Sequence, residues 1–154
     1  MIKYLKELFS SSGENLPEEK YNINSVKKLQ VATCALLVEM ANADDEFTDE
    51  EKEKIIHVMH KTFNLDKEYV DDLIELSEEK IRKSISIYEF STIINENFTK
   101  DEKFELMKNL WRLIYVDDTL NMHEDHLIKK IGKTLNMEHQ DVIAAKLIVK
   151  EEKK

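Results

Sequence analysis

The chain has 154 residues, 36% of them charged, and a formal net charge of −9. With only 2 Gly and 1 Pro it lacks the turn residues of a β-sandwich or barrel and favours long uninterrupted helices. The single Cys excludes an intramolecular disulfide and a cysteine zinc cluster, no apolar run approaches the ~18 residues of a membrane span, and no cluster of Lys/Arg suits nucleic acid. The opening residues Met1 to Tyr4 lack the apolar stretch of a secretory signal. A cytoplasmic protein with no direct membrane insertion is the expectation.

In chain order, Ile2, Leu5, Leu8 and Phe9 place one apolar stripe on a short N-terminal helix. Packing back on the core is its expected role; at this length membrane affinity would be marginal. Ser10 to Lys20, with Gly13 and Pro17, reads as a linker. Helices are then expected near 25–43, 48–63, 67–83, 87–97, 100–116, 122–135 and 138–150. Their starts follow capping chemistry, in which a Ser, Thr or Asn accepts from a free first-turn N–H and a Glu three residues on bonds back. That pattern occurs at Thr48/Glu51, Ser86/Glu89, Thr99/Glu102 and Asn121/Glu124, with Ser25 and Asp66 as caps for two more helices. The division is therefore 1–20 for the N-terminal helix and linker, 21–150 for one all-α domain of seven core helices, and 151–154 for a charged tail.

The helices near 25–43 and 100–116 are apolar nearly all round, which marks them as the central packing pair. Both end alike. Ala43-Asp44-Asp45-Glu46-Phe47, followed by Glu51, aligns at a spacing of 73 residues with Val116-Asp117-Asp118-Thr119-Leu120, followed by Glu124. Thr62-Phe63-Asn64-Leu65 then aligns with Thr134-Leu135-Asn136-Met137 at a spacing of 72. The domain is thus an internal two-fold repeat: buried helix, acidic loop, capped amphipathic helix, and an Asn-containing turn into another helix.

At these residues the chain resembles the TerB-like family, the tellurite-resistance TerB proteins and the related N-terminal domain of DjlA co-chaperones. The family's mark is a pair of Ala-Asp-Gly-x-hydrophobic-x-x-x-Glu segments, each after an apolar helix, and the resemblance covers about Val26 to Ile148. The family's Gly is replaced by Asp45 and Asp118; Asp tolerates a left-handed backbone better than most residues. The resemblance implies a single-domain helical bundle linked to tellurite and general stress responses, acting through metal binding or protein interaction. It implies no established enzymatic reaction.

The chemistry concentrates in the acidic loops. Asp44 and Asp117 each sit where a helix macrodipole ends in partial negative charge, which disfavours a carboxylate unless a cation compensates. Hard cations take carboxylate and carbonyl oxygens. Asp44 with Glu51 and Asp117 with Glu124 are therefore the candidate ligands of a divalent cation (Ca²⁺, Mg²⁺, Mn²⁺ or Zn²⁺), in separate sites or in one joint site about a pseudo-two-fold axis. The competing expectation is a solvated turn in which Glu51 and Glu124 only cap. An EF-hand is excluded, because the twelfth position holds Ile55 or Ile128 and the central Gly is missing.

His57/His60 and His123/His126 are i, i+3 pairs, one residue short of the zincin spacing, and are expected at the surface. Cys34 is expected to be an inert core thiol. No catalytic set and no phosphate-binding loop occurs. The function expected is a non-enzymatic interaction module in stress response, with protein partners that include membrane-associated stress proteins, and with self-association left open. The rival is a metal-dependent enzyme using the same carboxylates. Asp44 to Glu53, with seven carboxylates against Lys52, would steer a basic partner.

Overall fold

The computed structural model describes residues 18–44, 47–83, 86–117 and 120–153, the side chains of 18–25, 44 and 117 excepted. The N-terminal stripe and Asp45 and Asp118 therefore lie outside the described residues, as do the side chains of Asp44 and Asp117. Among the described residues there are seven α-helices and no strand: α1 (Glu18–Ala41), α2 (Asp49–Phe63), α3 (Lys67–Arg82), α4 (Ile87–Asn97), α5 (Lys100–Ile114), α6 (Met122–Thr134) and α7 (His139–Glu152). Short 3-10 turns, Asn42–Asp44 and Tyr115–Asp117, extend α1 and α5.

Local chemistry accounts for most boundaries. Capping boxes form at Thr48/Glu51, Thr99/Glu102 and Asn121/Glu124, and Asp66 accepts from the Tyr69 N–H at 2.9 Å to start α3. Two expected caps do not form. Ser86 stands at the N-cap of α4 without a side-chain bond; there the Glu89 N–H bonds to the Ser86 carbonyl instead. Ser25 lies inside α1, which begins at Glu18, because no Gly or Pro interrupts the chain from there to Ala41. Helix thus reaches into the expected linker, and α7 runs to Glu152, into the expected tail.

The repeat is visible in three dimensions. α3 packs on α1 as α7 packs on α5, and the turn asparagines Asn64 and Asn136 both adopt the left-handed conformation, with φ of 57° and 60°. Asn tolerates that region because its short polar side chain bonds locally. α1 is the axis of the bundle and packs against α2, α3, α4, α5 and α6. Every side chain from Val31 to Val38 is buried. Cys34 lies in this stretch, and burial pushes its thiol up to about 12.

α5 is less uniformly buried than its apolar content suggests. Trp111 and Leu110 are buried, but Arg112 sits on a polar edge. It forks onto Glu152 of α7 at 2.7 and 3.0 Å, and donates to Asn109 at 2.6 Å and Glu105 at 3.2 Å. Hydrogen bonding from Lys108 holds the Glu105 carboxyl below its ordinary value, and hydrogen bonding from Arg112 does the same for Glu152. A carboxylate depressed by folding stabilises the protein above its unfolded pKa and loses that contribution as pH falls. Arg112→Gln should therefore be less stable than wild type in urea unfolding at neutral pH, with the gap closing as pH drops below about 4.5. A gap that persists at low pH would assign the cost to lost packing instead.

Candidate functional site

Each half of the repeat builds the same joint. A buried helix ends in a 3-10 turn, an acidic segment follows, and a hydrophobic residue, Phe47 or Leu120, packs on the core before the next helix starts. The cap and the motif glutamate then lock that start. Thr48 donates to Glu51 Oε1 through its N–H at 3.1 Å and its hydroxyl at 3.0 Å, while the Glu51 N–H donates to Thr48 Oγ1 at 3.1 Å. Asn121 repeats the arrangement: its N–H donates to Glu124 Oε1 at 3.1 Å, and its Oδ1 accepts from the Glu124 N–H at 2.8 Å.

Capping alone does not require burial, since Glu102 makes the same box with Thr99 at the surface. Glu51 and Glu124 differ in being 5% and 2% exposed. A buried carboxylate must be hydrogen-bonded, and the positive end of the helix macrodipole favours it here. Both glutamates thus act as clamps that fix the first turn of α2 and of α6 to its cap residue.

The two joints differ in the charge around them. Tyr115, stacked on Trp111 with ring centroids 5.9 Å apart, gives its carbonyl to the Lys153 ammonium. Burial raises the Tyr115 hydroxyl above its ordinary value, helped by Asp125 and Glu124 nearby. Lys146 and Lys150 of α7 and Lys153 just past its end line, with Tyr115 and Leu120, an open cavity of about 390 Å³. A lysine therefore supplies positive charge at the end of the second buried helix, the role assigned from sequence to a bound cation. The sequence signal was the i, i+4, i+7 spacing of these lysines; their target, 38 residues away, had none. At the corresponding positions the first half carries Ile74, Glu78 and Ile81.

Among the described residues, no group of three or more His, Cys, Asp or Glu side chains is placed to hold a metal ion. Asp44 and Asp117 belong to that question, and their side chains lie outside the described residues. α6, which carries Glu124, packs against the Asn42–Asp44 turn, so the second joint's helix reaches the first joint's backbone. The five histidines are all exposed; His60 places Nδ1 3.0 Å from the Leu65 carbonyl and fastens the turn after α2.

The family model described as tellurite resistance protein TerB matches residues 30–147. The chain belongs to the TerB family. The matched span runs from the middle of α1 into α7 and includes both joints. The TerB unit is therefore the whole duplicated bundle rather than one copy of the repeat. No curated protein and no solved structure matches the chain. No described helix of this TerB-family chain is long and apolar enough to cross a membrane.

Proposed function

We propose that this TerB-family chain is a non-enzymatic stress-response module that engages protein partners, with its acidic loops as divalent-cation sites. The observation that supports this reading is the clamp built twice. A buried glutamate fixes the start of α2 and of α6 directly behind Asp44-Asp45-Glu46 and Asp117-Asp118. Hard cations suit such carboxylates and the carbonyls at a helix end. Asp44 and Asp117 are the direct donors in this reading, while Glu51 and Glu124, whose Oε1 atoms already accept from the caps, shape the loop. The first loop is the stronger site, because Lys153 already takes the Tyr115 carbonyl at the second.

The partner surface continues onto the first turns of α2, where Asp49, Glu50 and Glu53 are exposed. Carboxylates grouped in this way raise the encounter rate of a basic partner and lose that effect as salt rises.

Thermal unfolding of EDTA-stripped protein against Ca²⁺, Mg²⁺, Mn²⁺ and Zn²⁺ tests the cation reading. A ligand that binds only the native state stabilises it by ~2.7 kcal/mol at a hundred times its dissociation constant. The expected result is a midpoint that rises with one of these ions, loses the rise in Asp44→Asn and keeps most of it in Asp117→Asn. No rise with any ion would end the cation reading and leave the loops as clamped turns on an acidic surface.

A further inference from the structure

The internal repeat predicts a seat that no described residue fills. α4 precedes α5 in the chain and packs between α1 and α6. Its hydroxyl at Ser91 shares a 2.7 Å hydrogen bond with Thr134, and the Asn95 amide donates to the Thr134 carbonyl at 3.0 Å. Ile87, Phe90 and Ile94 form its buried stripe. The repeat exchanges α1 with α5 and α6 with α2, so the twin of this seat lies between α5 and α2. Thr62, the counterpart of Thr134, marks it.

A cavity of about 200 Å³ lies at that place, lined by Val58, Thr62, Phe98, Leu106 and Asn109 among others. Thr33 also lines it; the residue is 1% exposed, and its hydroxyl has no hydrogen-bond partner. The charged residues of the same lining are Glu102, Glu105 and Lys61, and Glu105 is already paired with Lys108 and Arg112.

Chain order narrows the occupant. At the repeat's spacing of 73 residues α4 corresponds to 14–24, of which 18–24 already belong to α1, so the twin seat is left to chain further upstream. That segment carries Ile2, Leu5 and Phe9, at the same successive spacings of three and four as Ile87, Phe90 and Ile94. Lys3 and Lys6 flank this stripe and are opposite in charge to Glu102, which its cap with Thr99 leaves exposed. The connection is long enough: Thr33 lies ~22 Å along α1 from Glu18 at ~1.5 Å per residue, and Ser10 to Pro17 can span ~26 Å when extended. We propose that Met1–Phe9 docks in the groove between α2 and α5, the counterpart in the first half of the seat that α4 takes in the second.

Paramagnetic relaxation in the full-length chain tests this. A nitroxide is attached at Lys3→Cys; Cys34, fully buried, stays unlabelled. The expected result is that the amide signals of Thr62, Phe98 and Glu102 lose most of their intensity, and that adding Leu5→Asp and Phe9→Asp to the labelled protein restores them. Both substitutions fall outside the described bundle, and circular dichroism checks that it stays folded. Broadening centred elsewhere, for example on the exposed Leu147 and Ile148 of α7, or no broadening, overturns the proposal. Broadening confined to mixed samples, with label on one copy and isotope on the other, overturns it in favour of a segment supplied by a second copy.

Discussion

Trp111→Ala should lower the free energy of unfolding by about 3–5 kcal/mol, the usual range for removing a fully buried aromatic side chain. Trp111 is fully buried on α5, and its indole N–H donates to the Val142 carbonyl of α7 at 3.0 Å. Tyr115 stacks on it, and the Lys146 ammonium sits 5.4 Å from its ring centroid. One side chain thus joins the second buried helix, the end of that helix beside the second acidic segment, and the last helix. Trp111→Phe keeps most of the volume and loses the donor, so it should cost about 1 kcal/mol, the net worth of a typical hydrogen bond. Urea unfolding followed by far-UV circular dichroism measures both, since the chain's 1 Trp is the residue removed. Equal costs for the two variants would show that the hydrogen bond, not the packing, holds α5 to α7.

Gly132→Val should destabilise the bundle by about 1–3 kcal/mol, the range for forcing methylenes into a packed site. Helix propensity alone would favour the change by roughly 0.3 kcal/mol, so sign separates the two accounts. A Cβ at Gly132 would stand 2.6 Å from Val142 Cγ2 and 3.4 Å from Met107 Cε. Val142 is β-branched and stiff at χ1, so it cannot swing aside cheaply. The double variant Gly132→Val/Val142→Ala should recover part of the loss in the same urea unfolding measurement, as expected for side chains that share one space. A neutral Gly132→Val would mean that α6 and α7 separate there at little cost.

That glycine shows what sequence could and could not reveal. The helix expected near 122–135 runs through Gly132, as α6 does; hidden from the sequence was why a glycine stands there, which is that another helix approaches too closely for a side chain. Boundaries set by local chemistry were legible: the capping boxes at Thr48, Thr99 and Asn121, and the paired turns at Asn64 and Asn136. Ser25 carried the same capping chemistry without being used, since a cap is only an option while the chain can continue as helix. The TerB motif was legible in Asp44, Glu51, Asp117 and Glu124, which the repeat places in register. The burial of Glu51 and Glu124 was not, because Glu102 has the same local pattern and stays exposed. Nor was the Lys153 contact with Tyr115, which joins two distant parts of the chain. The polar edge of α5 was hidden for the same reason: Arg112 gains its meaning from Glu152, supplied by α7.

The sealed thiol of Cys34 gives this protein a built-in clock. A thiolate is the reactive species, and a buried thiol raised to about 12 has almost none at neutral pH. Reaction with a thiol reagent must therefore wait for α1 to part from its neighbours. Where closing outpaces modification, the labelling rate is the fraction of time spent open multiplied by the rate for a free thiol. A single mass measurement over time would then read the opening free energy of the bundle's central helix under native conditions. No denaturant and no substitution would be needed. Any partner that binds the closed bundle would slow that clock, and the slowing would measure the grip of the partner even before its identity is known.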